Sequence, residues 1–463
     1  MILNNAKIYS DGTIREGALL ISDGIIESIK FASSKDDQDA FVKKNSDGKV
    51  IDCEKRLILP GIIDIHSHLR DMGQSEKETF LTGTKAAAFS GITTVLAMPN
   101  TKPPAIHSKQ VKSWMEKAEK NIHVDVGFIA GVPRDLNFEE VKNIIKLGVF
   151  GFKIYPLSSL NEIDWYNDNN IQKLLSLSYE FQIPIFIHPD YPISKDERFK
   201  IFQDNLKEPY SPLKLHNKLY PKENETKYVN FILDIYNKIL NDKTLIPEGY
   251  PILHFCHISC RESYLSVKKI QKQNEEFKIS FEVTPHHLLL SNEIQLNNFN
   301  YGKVLPPLRN QEHSAFLFKE LEEGNIEIIG TDHAPHTINE KSKEFNQAPS
   351  GFPGFETYPL LLLDKVFKNE ISIRNFVRAA SEKPAEQFKL KNKGFIKAGY
   401  EADLLIIEQV PEYAINSSSF KTKAKFSPYD GFKTRVSIWK VFLRGEQINI
   451  NNHKPSGKIV IRE

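Results

Sequence analysis

The sequence predicts an α/β chain, a (β/α)8 TIM barrel carrying a small β-sandwich domain built from its two ends. Three observations predict it. Apolar runs of strand length alternate with helix-like stretches eight times through the middle of the chain. The residues before 56 and after 394 read instead as short strands joined by tight turns. The length of 463 residues suits two domains, because α/β barrels run past about 250 residues as one unit. The predicted boundaries are 1–55 with 395–463 for the composite β domain and 56–394 for the barrel.

At the N-terminal end, Ala6–Tyr9, Ala18–Ile21 and Ile25–Ile29 read as strands, with Asp11-Gly12 and Asp23-Gly24 as the turns between them. Asp-Gly between apolar residues signals a hairpin, since glycine accepts the positive φ of the turn. The pattern returns in Ala402–Ile407, Val436–Leu443 and Ile459–Ile461, with Arg444-Gly445 as a turn. Neither end is long enough to bury a core alone, so the two are expected to pair. The eight barrel runs are Gly61–Ile65, Thr93–Met98, Val124–Ile129, Phe150–Ile154, Ile185–Ile187, Ile252–Cys256, Ile279–Val283 and Ile326–Gly330. Helix-like stretches follow most of them, among them Glu78–Phe89, Ser108–Lys120, Tyr228–Leu240 and Glu312–Glu323. A doubly wound sheet is the alternative, but no Gly-rich turn follows the first run. Two connections are unusually long, from Pro189 to about Glu225 and from Asp332 to about Phe355. In a barrel such loops carry substrate contacts and lids.

Composition excludes several classes. Sixty-one Lys and Arg against fifty-nine Asp and Glu leave a net charge of +2, too balanced for an electrostatic nucleic-acid binder. Aromatic residues at 11% argue against disorder. The start of the chain lacks the pattern of a secretory signal, and no apolar run approaches the ~18 residues needed to cross a bilayer. Three cysteines, Cys53, Cys256 and Cys260, are sparse and odd in number, which fits a reducing, cytoplasmic setting.

The histidines carry the chemistry. His66-Ser67-His68 follows the first barrel run, and residues i and i+2 of an extended segment point the same way. Alone, the pair fits two ordinary buried histidines as well as a metal site. His188 closes the fifth run, His257 the sixth, and Asp332 follows the eighth. All therefore arrive at the carboxyl end of the strands, where barrel active sites are built. Four imidazoles and a carboxylate converging there point to a divalent metal, with zinc first. Lys153 ends the fourth run, where an ammonium would repel cations. Its place makes sense if CO2 has converted the amine to a carbamate, an anionic two-oxygen ligand able to bridge two ions. Cys256 and Cys260 read as core thiols, His286-His287 as pocket residues, and Lys421, Lys423 and Lys425 as a solvated stretch.

The run Pro60-Gly61-Ile62-Ile63-Asp64-Ile65-His66-Ser67-His68-Leu69-Arg70-Asp71 resembles the opening of the metal-dependent amidohydrolase superfamily, and within it dihydroorotase. Met98-Pro99-Asn100-Thr101, Phe152-Lys153-Ile154-Tyr155, Cys256-His257-Ile258-Ser259, Glu282 to His287, Thr331-Asp332-His333-Ala334-Pro335-His336 and Gly354-Phe355-Glu356-Thr357 match in order. The resemblance spans essentially the whole chain. It implies two zinc ions per subunit, one on His66, His68 and Asp332, the other on His188 and His257, bridged by carbamylated Lys153. It further implies that Asp332 moves the proton as water opens a cyclic amide. Substrate contacts fall on His68, Arg70, Asn100 and His336, with Ser350-Gly351 as a lid over the ring. Arg70 is the discriminating residue, since a guanidinium grips the carboxylate of dihydroorotate, which hydantoins and allantoin lack. The implied activity is reversible cyclisation of N-carbamoyl-L-aspartate to dihydroorotate in pyrimidine synthesis. The expected partners are that small molecule, a second copy in a homodimer, and aspartate carbamoyltransferase. Two alternatives stay open: another cyclic amidase (allantoinase, dihydropyrimidinase or hydantoinase), or an inactive relative acting as a scaffold for aspartate carbamoyltransferase. The chain departs from the family pattern at Leu305, where many bacterial relatives have asparagine, at Met72, usually proline, and at His188-Pro189-Asp190.

Overall fold

The computed structural model describes residues 1–462 except 33, 46–47, 208, 242–249, 274–275 and 450–453. Along the chain, β1 (Ile2–Ser10), β2 (Thr13–Ser22), β3 (Ile25–Phe31), β4 (Val50–Asp52) and β5 (Leu57–Pro60) come first. The barrel strands follow: β6 (Ile62–Ser67), β7 (Ile92–Ala97), β8 (Asp125–Gly131), β9 (Gly151–Ile154), β10 (Ile185–Ile187), β11 (Leu253–Phe255) and β12 (Ile279–Phe281). The chain then returns through β13 (Leu404–Ala414), β14 (Lys433–Leu443) and β15 (Glu446–Gln447).

The two ends join in one mixed sheet, ordered β15-β14-β13-β5-β1-β2-β3 with β4 beside β1. The Asp-Gly and Arg-Gly turns form as expected, with positive φ at both central residues of each (50° and 78° at Asp11-Gly12, 46° and 72° at Arg444-Gly445). Side chains from both ends, including Leu3, Ile8, Leu19, Ile26, Ile58, Leu404 and Phe442, meet in an apolar cluster of their own. The sheet also takes in Leu57–Pro60, because β5 pairs with β1 on one side and β13 on the other.

The barrel strands are parallel in sequential order from β6 to β12. Helices fall where the amphipathic stretches predict them, for example Phe80–Phe89, Ser108–Ala118, Lys222–Asn241 and Gln311–Glu322. The eighth run, Ile326–Gly330, closes the ring through single bridges rather than a full ladder: Ile329 pairs with Val283, and His333 pairs with Ser67. The chain leaves extended geometry at Asp332, where φ is 48°, which interrupts the ladder. Leu96, Met98, Ile129, Phe150, Phe186 and Ile328 form a further apolar cluster, and the Phe388 ring stacks on Phe186 at 5.1 Å.

One terminal segment goes elsewhere than expected. Ile459 pairs with Val126 of the barrel strand β8, with the Val126 N–H donating to Lys458 O at 3.0 Å and the Val460 N–H to Val126 O at 3.0 Å. The reason lies in the staggered start of the neighbouring strand. Pairing of β9 with β8 begins at Ile129, so the tail satisfies backbone groups that would otherwise stay unpaired.

A buried charge cluster ties the two sheets together. Lys393 Nζ lies 2.8 Å from Asp125, 2.7 Å from Asp403 and 2.5 Å from Glu401. Arg444 Nη1 reaches both Asp125 oxygens at 2.8 and 2.7 Å. Removing one cation from such a cluster leaves buried carboxylates uncompensated. Lys393→Met is therefore expected to destabilise the protein by about 3–5 kcal/mol, measured by denaturant unfolding; an unchanged midpoint would refute the assignment.

Candidate metal centre and substrate pocket

Four of the barrel strands deliver polar residues at the same rim. His66 and His68 leave β6, Lys153 sits in β9, His188 directly follows β10, and His257 lies two residues beyond β11. The His66 and His68 ring centroids are 5.5 Å apart, His66 and His257 5.2 Å, and His188 and His257 4.5 Å. Asp332 Oδ1 completes the group at 3.0 Å from His68 Nε2 and 3.5 Å from His66 Nε2. Lys153 Nζ is 5.2 Å from the Tyr155 ring, which itself neighbours His188 at 6.2 Å. Residues separated by up to 266 positions thus share one small volume.

Two groups at the centre of this arrangement escaped sequence reasoning. Glu282, fully buried after β12, contacts His66 Nδ1, lies 3.3 Å from His254 Nε2, and accepts from the His257 N–H at 3.2 Å. Asp64 accepts from the Thr331 N–H at 2.8 Å and the Thr331 hydroxyl at 2.6 Å. Each is an acid flanked by apolar residues, a pattern that carries no meaning until the donors around it are known. Gly330 makes room for Glu282, because a Cβ there would collide with its carboxylate.

Electrostatics keep most of the imidazoles neutral and lone-pair bearing. Burial lowers His68 to about 4 and, with the Lys153 charge, His188 to about 3. His257 is pushed well below the ordinary histidine value by burial and the neighbouring His188 and Lys153. Burial also works against charge on His66, yet contact with Glu282 holds it up at about 10. Burial opposes ionisation of Asp332, but the His68 hydrogen bond and the nearby imidazoles hold it below the usual carboxylate range. With its Nδ1 engaged by Glu282, His66 turns Nε2 toward Asp332. Such carboxylate–histidine pairs orient metal-binding imidazoles.

A metal fits this donor set. Lys153 Nζ and His257 Nδ1 are buried side-chain atoms with no hydrogen-bond partner among the described residues, and unpaired polar atoms in an interior are costly. His66, His68 and Asp332 also offer ligand atoms lying within 4.8 Å of one another.

The expected substrate residues line the same mouth. Arg70 is buried, with Nε donating to Pro335 O at 3.2 Å and Nη2 lying 3.3 Å from His336 Nε2. Asn100 Oδ1 is 2.6 Å from His68 Nδ1, so Asn100 also orients that imidazole. Ser350 O faces His336 Nε2 at 3.0 Å. Gly351 adopts φ 120°, and a Cβ would sit 2.7 Å from Ala334 O, so only glycine suits this turn.

Two of the departures from the family pattern, Met72 and Asp190, take part in local hydrogen bonds. Met72 has φ 52° and donates its N–H to Asp71 Oδ1 at 2.9 Å; proline can do neither. Asp190 accepts from the Tyr191 N–H at 2.8 Å, and burial pushes its carboxyl up to about 7. His287 is held by Thr284 at 2.7 Å and Pro306 O at 3.2 Å. Cys256 and Cys260 are buried free thiols. The Lys421 to Lys425 stretch does more than face solvent. The Lys421 and Thr422 amides donate to the buried Glu356 carboxylate, and the Thr422 hydroxyl meets Glu78.

Glu282→Gln keeps the volume but loses the charge facing His66 and His254. It is expected to weaken metal retention about 10–100-fold, measured as metal content after dialysis against a graded chelator. Wild-type retention would remove Glu282 from its orienting role.

Comparison with known proteins agrees with this geometry. Residues 55–153 match a family described as dihydro-orotase-like, and residues 237–460 match the amidohydrolase family. A protein named dihydroorotase from Pyrococcus abyssi is 32% identical over 462 residues, covering 99% of this chain and 98% of the relative. Another of that name, from Methanosphaera stadtmanae, is 31% identical and covers 98% and 97%. Among solved structures, L-hydantoinase from Arthrobacter aurescens superposes with a TM-score of 0.84 at 23% identity, covering 100% of this chain and 99% of that one. Dihydropyrimidinase from Brevibacillus agri gives 0.83 at 22% identity, covering 100% and 98%; both structures share the fold. The chain is an amidohydrolase acting on cyclic amides, and it belongs to the dihydroorotase family.

Proposed function

We propose that the protein interconverts N-carbamoyl-L-aspartate and (S)-dihydroorotate plus water, as a zinc-dependent step of pyrimidine synthesis. The observation that carries this over a hydantoin or allantoin is Arg70. It is a buried guanidinium beside His336 at the mouth of the histidine cluster, and no carboxylate forms an ion pair with it among the described residues. A buried cation of this kind suits a substrate that brings its own carboxylate.

In this reading His66, His68 and Asp332 would hold one zinc ion, His188 and His257 would hold the second, and Lys153, as its carbamate, would serve as a ligand to both. When bound, the two ions supply Lewis-acid polarisation and a lowered pKa for water. The chain's own residues do the rest. Arg70, Asn100 and His336 bind the substrate carboxylate and fix the ring. Ser350 and Gly351 cover the ring and exclude bulk water. Asp332 takes the proton from the attacking water and gives it to the leaving nitrogen; in the synthetic direction the same carboxylate moves the proton back. Glu282 and Asn100 keep His66 and His68 aimed. A cytoplasmic homodimer with aspartate carbamoyltransferase as partner belongs to this reading. The buried free thiols support the compartment. No helix among the described residues is long and apolar enough to cross a membrane.

Assays on dihydroorotate, hydantoin and allantoin side by side test the assignment. Turnover of dihydroorotate alone supports it. Preference for a hydantoin or allantoin would move the protein to another cyclic amidase, and retained metal without any turnover would favour a scaffold. Arg70→Ala is expected to raise KM for dihydroorotate by about 10-fold or more, and an unaltered KM would misplace the carboxylate site. Asp332→Asn is expected to lower kcat by about 10²–10⁴-fold. Lys153→Ala is expected to lose one metal equivalent, with partial recovery in short carboxylic acids; unchanged metal content would argue against the bridge.

A further inference from the structure

His336 has both ring nitrogens occupied by groups whose roles are fixed. Lys77 Nζ lies 3.2 Å from Nδ1, and an ammonium can only donate. Ser350 O lies 3.0 Å from Nε2, and a carbonyl can only accept. The hydrogen therefore sits on Nε2, and Nδ1 carries the lone pair. Lys77 is itself anchored. Its ammonium pairs with Glu340 Oε1 at 2.7 Å. The other Glu340 oxygen caps a short helix through the Thr337 N–H at 3.0 Å and the Thr337 hydroxyl at 3.1 Å.

This tautomer has a consequence at Arg70. Nη2 of Arg70 is 3.3 Å from His336 Nε2, so two donors face each other and cannot bond to one another. An acceptor placed against both would bridge them, and an anionic one would do so most strongly. Burial and the charges of Arg70 and Lys77 lower His336 to about 2, so it stays neutral. Without Lys77, the acceptor left to Nδ1 is Glu340 Oε2, 3.5 Å away. An Nδ1–H directed there would turn the Nε2 lone pair toward the same anion.

We propose that Lys77 is a positioning residue for substrate recognition: by donating to Nδ1 it holds His336 in the Nε2–H tautomer, so that His336 and Arg70 present two donors to a substrate carboxylate. The inference rests on the reading of Arg70 and His336 as the carboxylate site. In the ligand-free protein Ser350 O takes the Nε2 hydrogen, and a carboxylate seated against Arg70 shares it.

Nitrogen NMR of the full-length protein labelled in histidine, with His336 assigned through His336→Asn, reads the tautomer without turnover. The wild type is expected to show Nε2–H, and Lys77→Met is expected to shift His336 toward Nδ1–H. The same variant is expected to raise KM for dihydroorotate about 10-fold, with kcat within about twofold of wild type. Lys77→Arg, which keeps a donor, is expected to restore both. An Nδ1–H or doubly protonated His336 in the wild type overturns the proposal, whether or not Lys77→Met folds. An unshifted tautomer in Lys77→Met, an unchanged KM, or no recovery in Lys77→Arg also overturns it. If the wild type does not turn over dihydroorotate, the functional reading falls while the tautomer comparison still decides what Lys77 does.

Discussion

A buried carboxylate at the centre of the barrel rim, Glu282, is the constraint on which the site depends. Burying an ionised carboxylate is costly unless donors surround it. Glu282 finds them on different strands: His66 from β6, His254 within β11, and the His257 main chain just beyond it. Satisfying the charge and aligning the histidines are therefore the same event. If the register of β6 slipped against β11 and β12, the carboxylate would lose its partners, so the geometry of the rim is enforced by an electrostatic penalty as well as by packing.

The same rim stores backbone strain. Arg70, His257 and Asp332 have φ of 55°, 39° and 48°, a region that costs non-glycine residues roughly 1–2 kcal/mol each. Hydrogen bonds to buried acids offset it. The His257 N–H points into Glu282, and Thr331, immediately before Asp332, is held by Asp64. Beyond Arg70, Asp71 accepts from Met72, Ser75 and Phe80. Strained residues at an active-site rim are held there by their surroundings. Here the surroundings are three acids that touch no substrate in the proposed mechanism.

What was legible in the sequence follows from this division of labour. Strand-length apolar runs and Asp-Gly turns are local signals, so the barrel, the joined ends and the hairpins were readable. His66, His68, His188, His257, Lys153 and Asp332 were readable because each closes a run, and the end of a parallel strand points to one rim. Glu282, Asp64 and Lys77 were not, because their meaning is relational. An acid on a strand says nothing until its donors, far away in sequence, are known. The eighth run and Ile459–Ile461 were misjudged for a similar reason. Whether an apolar triplet forms a ladder depends on which neighbouring edge remains open, and the open edge proved to belong to β8.

The long connections over the mouth share one buried anchor. The helix Lys222–Asn241 supplies Glu225, which is buried against Arg309 at 3.0 Å and accepts from the Ser259 N–H at 3.1 Å. Arg309 also reaches the Ser259 hydroxyl at 2.9 Å, Asn217 at 2.7 Å and Tyr220 O at 2.6 Å. The segment carrying Leu305 and the insertion after His188 are thus pinned by one buried ion pair to a point two residues beyond His257. The anchor itself uses neither the side chain at 305 nor that at 189. A buried pair holds such an arrangement only when intact, since loss of either partner strands a charge in the interior. The loops over the mouth and the histidine beneath them are therefore held by the same anchor.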